Sequence, residues 1–565
     1  MLYLIPNVKK LETLEELFDK KPLKAESPLT PRLEKALQKL PLAADGIPFR
    51  LTVNGTEGEG YTVDLKNEAV SVTAESEAAA FYAIQTLRQI YGQKDVPCLK
   101  IEDRPDFAYR GFYHDVTRGR IATVDTLKQL IDRLASLKIN SLQLYVEHVF
   151  EFKETADLQP HTGFLTGAEL EELDAYCKEN FIEFIPSLAT FGHMYEILQQ
   201  PKYHHLRVLS DYPEHPNFWN ARMAHHTVDP LQEESFELVK SLIDQFIPHF
   251  TTDTFNLCGD ETFDLTKHAR QDLDRGQMYV EFVQKIIAHL KSRGKKVMMW
   301  ADILLKHPET IGELPEDTCF LNWNYRQDPP ETQVAALEPF GRPQIVCPGT
   351  STWSRLCEDV SISEGNIGKF AEYGYQHGAI GVLNTNWGDW GNPCSIELAL
   401  FGLAWGAEKS WSVATPAGEG FYAAADELIY GKEGRVADLK TIATLQPALP
   451  WNAFAQAYFN LRHFNERSMK ADEAALRNVK TVVTELLAKW TAEEGEDPIR
   501  EELICMGKGA LCMADLIAAL AEIPMERTAD VKGWLAEYSA LWRRKNKESE
   551  LRNIVEMFTW LDENL

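Results

Sequence analysis

Residues 107–146 read FAYRGFYHDVTRGRIATVDTLKQLIDRLASLKINSLQLYV, and this stretch decides the fold. The run 108–115 (AYRGFYHD) is aromatic and β-prone, as is the run 139–146 (INSLQLYV). Between them, 124–137 carries apolar residues at helical spacing with a polar opposite face. The same alternation continues along the chain. Further strand candidates are 183–190 (EFIPSLAT), 254–260 (TFNLCGD), 296–302 (KVMMWAD), 319–325 (CFLNWNY), 344–350 (QIVCPGT) and 379–386 (AIGVLNTN). Helical stretches at 167–180, 236–248, 276–293 and 366–376 lie between strands, and 394–409 follows the last. Most of the strands are largely apolar, as expected when both faces of a sheet are covered. Eight β/α units over roughly 300 residues predict an α/β chain built on a (β/α)8 TIM barrel. A doubly wound open sheet is the alternative, but no glycine-rich phosphate loop follows the first strand.

The flanks differ from this core. Before it, short β-prone runs at 51–53, 61–65 and 69–73 precede a helix, AAAFYAIQTLRQIY, that Ser76 can cap, and a strand at 97–101. After about 412 the pattern is helical, with 453–470, 471–491, 499–521 and 529–563 as segments. Trp451, Trp490, Trp534, Trp542 and Trp560 read there as helix-packing residues. The expected division is a small α/β domain at 1–104, the barrel at 105–411 and an α-helical domain at 412–565.

Composition narrows the function. With 58 basic and 85 acidic residues the formal charge is −27, which disfavours nucleic acid and anionic membranes as partners. No run approaches the roughly 18–20 apolar residues of a membrane span. The first residues, MLYLIPNVKKLETLEEL, place a short apolar start before charges, the reverse of a secretory signal. Nine cysteines, an odd number without a CxxC pair, suit a reducing compartment, so the expected location is cytoplasmic.

In a TIM barrel the chemistry sits at the C-terminal strand ends. There the sequence puts Arg110 and Asp115, Glu147 and His148, His193, Asp260 and Glu261, Trp300 and Asp302, Trp323 and Tyr325, Trp353, and finally Trp387, Asp389 and Trp390. Five of the thirteen tryptophans thus gather at one rim, as the walls of a sugar pocket would. The adjacent pair Asp260-Glu261 is the sharpest feature. Neighbours on a regular strand face opposite ways, but at a strand end beside Gly259 both can reach one substrate. Close carboxylates also drive their pKa values apart, which suits acid and base work. His193 could be a charge partner for the acid or a packing histidine. His204-His205 and His225-His226 lack chelating spacing and read as loop residues, so no metal site is expected.

On these motifs, roughly residues 50 to 405, the chain resembles the glycoside hydrolase family 20 β-N-acetylhexosaminidases. AAAFYAIQTLRQI resembles the helix of the family's non-catalytic domain, and DRPDFAYRGFYHDVTR its entry into the barrel. FNLCGDE resembles the catalytic Asp-Glu motif, and MMWAD, LNWNY and NTNWGDWGN the tryptophan-bearing strand ends. The helical C-terminus resembles that of bacterial members with such an extension. The resemblance implies Glu261 as general acid/base and Asp260 as holder of the acetamido N–H. It implies Arg110 on the sugar hydroxyls, His193 supporting the acid, and Trp300, Trp323 and Trp387 as pocket aromatics, with Asp389 bonding a hydroxyl. Trp353 joins them by its position, and Tyr325 stands in for the tyrosine that contacts the acetamido oxygen. His148, beside Glu147, stands where many members have an acidic residue after strand two.

What this implies is exo-hydrolysis of terminal β-linked N-acetylglucosamine or N-acetylgalactosamine with retention, through an oxazolinium formed by the substrate's own acetamido group. The substrate would be an oligosaccharide or glycoconjugate; no cofactor is expected, and a homodimer is admitted. Two other readings stay open: a retaining glycosidase with Asp302 or Asp389 as nucleophile, and a non-catalytic sugar-binding barrel.

Overall fold

The computed structural model describes residues 2–158, 163–209, 217–223, 226–495 and 497–565; His225 lies outside them. The first unit is a six-stranded sheet in the order β1-β6-β4-β5-β3-β2. Its strands are β1 Lys10–Leu17, β2 Leu23–Ala25, β3 Ile47–Val53, β4 Tyr61–Leu65, β5 Val70–Ala74 and β6 Pro97–Asp103. The helix Glu77–Gly92 buries most of its length against this sheet, and the Ser76 side chain accepts the Ala79 N–H at 3.2 Å as its cap. β1 was not expected as a strand, and its reason is visible. KLETLEEL buries no complete face, so it carries no alternation to read. It lies on the sheet edge, where charged side chains discourage further pairing.

The second unit is the closed barrel. β7 Tyr109–Asp115, β8 Ser141–Val146, β9 Glu183–Leu188, β10 Thr254–Asn256, β11 Lys296–Trp300, β12 Cys319–Trp323 and β13 Gln344–Cys347 pair in parallel in chain order. β15 Gly381–Asn386 closes the ring, pairing with β7 from Gly381↔Tyr109 to Asn386↔His114 and with β13 at Ile345↔Gly381. Proline 348, which has no N–H to donate, splits the seventh position into β13 and the short β14 Gly349–Thr350. Fifth and sixth units carry only the short helices Asp302–Lys306 and Glu331–Ala335. Elsewhere the barrel helices are longer, and several are side-chain capped, as at Thr166, whose capping box with Glu169 opens 167–179.

The remaining chain is helical at 419–425, 435–445, 451–464, 473–491, 498–520, 531–545 and 551–564. Residues 529–563, read as one helix, are two helices separated at 546–550. The segment Ile499–Leu520 is long and apolar enough to cross a membrane by length and composition, with mean hydropathy 1.8, contrary to the expectation that no run qualifies. Its window is 78% buried inside the protein, packed between the helices 473–491 and 531–545.

Buried charges stitch the first unit to the floor of the barrel. Lys138 is 1% exposed, with its Nζ 3.1 Å from Asp103 Oδ2, donating to the Tyr61 hydroxyl at 2.8 Å and lying over the Trp411 ring. Burial pushes the Lys138 pKa down, and the Asp103 carboxylate opposes that. Asp103→Ala leaves this ammonium buried without its anion and should cost about 3–5 kcal/mol, read as a lower urea midpoint. Adding Lys138→Met should restore most of the loss, since an apolar side chain needs no counter-charge.

Candidate active site

The local backbone around β10 explains how two adjacent carboxylates come to share a pocket. β10 ends at Asn256, and three of the next residues take left-handed conformations: Cys258 at φ 59°, Gly259 at φ 83° and Glu261 at φ 50°. Only Gly259 adopts this without a steric penalty. The turn is anchored twice. Tyr279 donates its hydroxyl to the Gly259 carbonyl at 2.9 Å, and the Glu261 N–H donates to Asp302 Oδ2 at 3.2 Å. With side-chain alternation broken, both carboxylates turn to His193, whose Nε2 lies 3.3 Å from Asp260 Oδ2 and 3.4 Å from Glu261 Oε2. His193 is itself at φ 58°, and its N–H donates to His226 Nδ1 at 2.8 Å.

Electrostatics follow from that bridge. Burial works against a charged imidazole, but Asp260 and then Glu261 hold the His193 pKa well above the ordinary histidine range. Burial would raise Glu261; the hydrogen bond and charge of His193, with Arg118 further off, outweigh it and hold this carboxyl below its usual range. Behind the pair, burial and the Asp260 charge push Asp302 up to about 7. These opposite shifts place the shared proton on His193 rather than on Glu261.

These groups open into a cavity of about 130 Å³ walled by Trp300, Trp323, Tyr325, Trp353 and Trp387, with Arg118, Tyr145 and Asp389 also in its lining. Tyr325 stacks on Trp323 with ring centres 5.1 Å apart, and the Trp387 Nε1–H donates to its hydroxyl at 2.6 Å. Trp300 and Trp387 meet across the floor at 5.9 Å, both against Tyr113. Arg118 Nη1 lies 2.5 Å from Asp389 Oδ1 and its Nε 2.8 Å from Asp115 Oδ2. One atom each from His193, Asp260 and Glu261 lie within 4.8 Å of one another, so this trio could also hold a cation.

Of the ten residues expected to catalyse or to touch the sugar, the structure brings nine to this pocket and leaves Arg110 elsewhere. Arg110 is the second residue of β7, at the N-terminal end of the barrel. It is fully buried, bound to Glu59 of the first unit at 2.6 and 3.0 Å and to the Lys138 carbonyl at 3.0 Å. Arginine 118, on the loop that leaves the C-terminal end of β7, occupies the pocket instead. The strand-end rule already separates the two, because only Arg118 lies past the strand. Tyr145, at the inward-facing end of β8, was also missed. Trp390 leaves the rim group: it packs on Trp219, and its carbonyl accepts the Trp451 Nε1–H at 2.8 Å. Glu147 accepts the Tyr145 hydroxyl at 2.9 Å, and burial raises its pKa. His148 is driven well below the histidine range by burial and by Arg222.

Comparison with known proteins agrees with this geometry. The description "Glycosyl hydrolase family 20, domain 2" matches residues 3–104, and "Glycosyl hydrolase family 20, catalytic domain" matches residues 107–354. A β-hexosaminidase of Porphyromonas gingivalis is 24% identical over 290 residues, 44% of this chain and 36% of the relative. One from Emericella nidulans is 25% identical over 305 residues, 47% of this chain. The chain thus spans 36% and 49% of the lengths of these two curated relatives. The solved chitobiase of Flavobacterium johnsoniae superposes with a TM-score of 0.61 at 16% identity, covering 96% of this chain and 99% of that one. A β-N-acetylhexosaminidase from Bacteroides fragilis superposes with a TM-score of 0.60 at 20% identity, covering 76% and 95%. The two family matches together cover more than half of the sequence and meet the barrel and the sheet that precedes it, so the chain belongs to glycosyl hydrolase family 20.

Proposed function

We propose that the protein is an exo-acting β-N-acetylhexosaminidase that removes terminal β-linked N-acetylglucosamine or N-acetylgalactosamine with retention of configuration. The observation that carries the reading is the Asp260–Glu261 pair bridged by one histidine inside a tryptophan-walled pocket of family 20. A cavity of about 130 Å³ suits a single sugar ring, which supports action at a chain end. The long glycan or glycoconjugate would extend outward as the leaving group. Its cysteine usage supports a cytoplasmic location.

In the first step the acetamido oxygen of the substrate attacks its own anomeric carbon. Glu261 gives a proton to the departing glycosidic oxygen, and the C–O bond breaks to leave an oxazolinium. Asp260 accepts the acetamido N–H and faces the positive charge as it forms, which is where a preorganised carboxylate helps most. In the second step Glu261 takes a proton from water, and the oxygen of that water attacks the anomeric carbon and reopens the ring. Such substrate assistance needs no enzyme nucleophile. Asp389 is paired with Arg118 and Asp302 holds the Glu261 backbone, so both carboxylates have other work.

The proton needed by Glu261 resides on His193 at 3.4 Å. Docking the acetamido group against Asp260 removes part of what holds the proton on His193 and lets it pass to Glu261.

The reading is tested with aryl N-acetyl-β-glucosaminide beside the corresponding aryl glucoside. Only the first has an internal nucleophile, so only the first should turn over. Asp260→Asn should lower kcat by about 10²–10³-fold with a much smaller change in KM, because the charge it stabilises exists only after reaction begins. An unchanged kcat would remove Asp260 from the mechanism.

Glu261→Gln should cost about 10²–10⁴-fold on chitobiose, whose leaving oxygen must be protonated. The loss should be smaller in the first step with a dinitrophenyl leaving group, and azide should restore turnover. Equal losses on both substrates without rescue would count against the acid/base role.

As pH rises through the elevated His193 pKa the shared proton is lost, and with it the acid. The alkaline limb of kcat/KM should therefore fall above the ordinary histidine range in the wild type. In His193→Gln, where Glu261 alone must hold the proton, the limb should move to lower pH. A limb that stays in place would show that His193 does not store the proton.

A further inference from the structure

The helices 531–545 and 551–564 are interrupted so that 546–550 can lie along the loop after β7. Thr123 donates its N–H to the Lys545 carbonyl at 2.9 Å, Lys547 to Ile121 at 2.8 Å, and Glu550 to Gly119 at 3.3 Å. Asn546 and Ala122 form an antiparallel bridge, and the Ser549 hydroxyl also donates to the Gly119 carbonyl. This clamped loop is the one that carries Arg118.

A second set of contacts ties it to the loop after β15, which carries Asp389. Arg120 donates from Nε to the Asn392 carbonyl at 2.9 Å, and from Nη2 to the Pro393 carbonyl and the Tyr538 hydroxyl, both at 3.1 Å. Its guanidinium lies 4.2 Å over the Trp542 ring. The loops touch backbone to backbone: at Gly119, φ +118°, a Cβ would come within 2.4 Å of the Gly391 carbonyl carbon. Tyr538 and Trp542 belong to the C-terminal helix 531–545, so that helix roofs the joint.

An ion pair at the mouth of a pocket is worth little if its side chains must be ordered for each encounter. Arg118 and Asp389 are partly open, with side chains 13% and 30% exposed, yet the backbones beneath them are held by buried partners. Holding such a pair in place beforehand is what turns it into binding energy.

We propose that the C-terminal helical segment is a working part of the sugar site. Tyr538, Trp542 and residues 546–550 are positioning residues: through Arg120 and Gly119 they set the spacing of Arg118 and Asp389 for the ring hydroxyls of the terminal sugar. This rests on the proposed function, since Arg118 and Asp389 line the pocket that would take the terminal sugar.

The test uses the full chain with Arg120→Met and Tyr538→Phe, the latter removing a single hydroxyl. KM and kcat on an aryl N-acetyl-β-glucosaminide, the Kd of N-acetylglucosamine by calorimetry and the Tm are measured for each. Arg120→Met should raise KM and Kd about tenfold while kcat changes by less than about threefold. Tyr538→Phe should raise KM and Kd about threefold with little change in Tm, and it decides alone should Arg120→Met not fold. In an Asp389→Ala background, Arg120→Met should add little to the Kd, because the pair whose spacing it sets is already broken. Unchanged KM and Kd alongside a lower Tm, or losses that simply add to that of Asp389→Ala, would overturn the positioning role. A wild type that neither binds nor cleaves the sugar brings down the functional reading and this inference with it; an active wild type with unaffected variants sinks the inference alone.

Discussion

Adjacent side chains on an extended backbone point to opposite faces, so Asp260 and Glu261 can share a pocket only where the strand conformation is abandoned. The turn after β10 does this with left-handed residues at 258, 259 and 261, and a non-glycine residue in that region costs of order 1–3 kcal/mol. The cost is met by the surroundings, through the Tyr279 hydroxyl on the Gly259 carbonyl and the Asp302 carboxyl on the Glu261 N–H. The site depends on this turn. It brings two carboxylates to one imidazole, and from that contact follow the raised pKa of His193, the lowered pKa of Glu261 and the placing of a proton between them.

The pocket is rich in acids, yet its cations are placed one against each need. His193 answers Asp260 and Glu261, while Arg118 answers Asp115 and Asp389. Asp302 is buried beside Asp260, and these two causes raise its pKa to about 7 against the opposing Glu261 N–H and the Lys306 charge. A neutral Asp302 can accept the Glu261 N–H without adding a further negative charge behind the reacting pair. Tryptophan and tyrosine rings fill the rest of the wall, keeping these charges in a medium where each interaction is stronger than in water.

The same device, a buried ion pair, joins the units of the chain. Arg110 with Glu59 and Lys138 with Asp103 close the seam below the barrel; Arg222 with Glu550 and Glu196 closes one above it. The chain has 58 lysines and arginines, and few of those described are buried. Several of the arginines and lysines it does have sit at these seams, where breaking one partner leaves a charge without water or counter-ion.

The periodicity of residues 107–386 determined the barrel, because strands covered on both faces and helices with one polar face leave a plain trace in composition. The helix Glu77–Gly92 was legible from its Ser76 cap and its apolar spacing. β1 was not, since an exposed edge strand has no buried face to pattern. Trp300, Trp323, Trp353 and Trp387 could be placed at one rim from their distance to strand ends alone, as could the Asp260-Glu261 pair. Side-chain identity near a strand was not enough for arginine: Arg110 and Arg118 stand eight positions apart in sequence, and only the direction of β7 sends one to the floor and the other to the mouth. Trp390 failed for a related reason, because the loop after β15 turns it toward the helical segment. The break at 546–550 had no local signal either. Those residues give up helical hydrogen bonds for the backbone of 119–123, more than 400 positions earlier, and a trade between such distant parts of a chain exists only once the chain has folded.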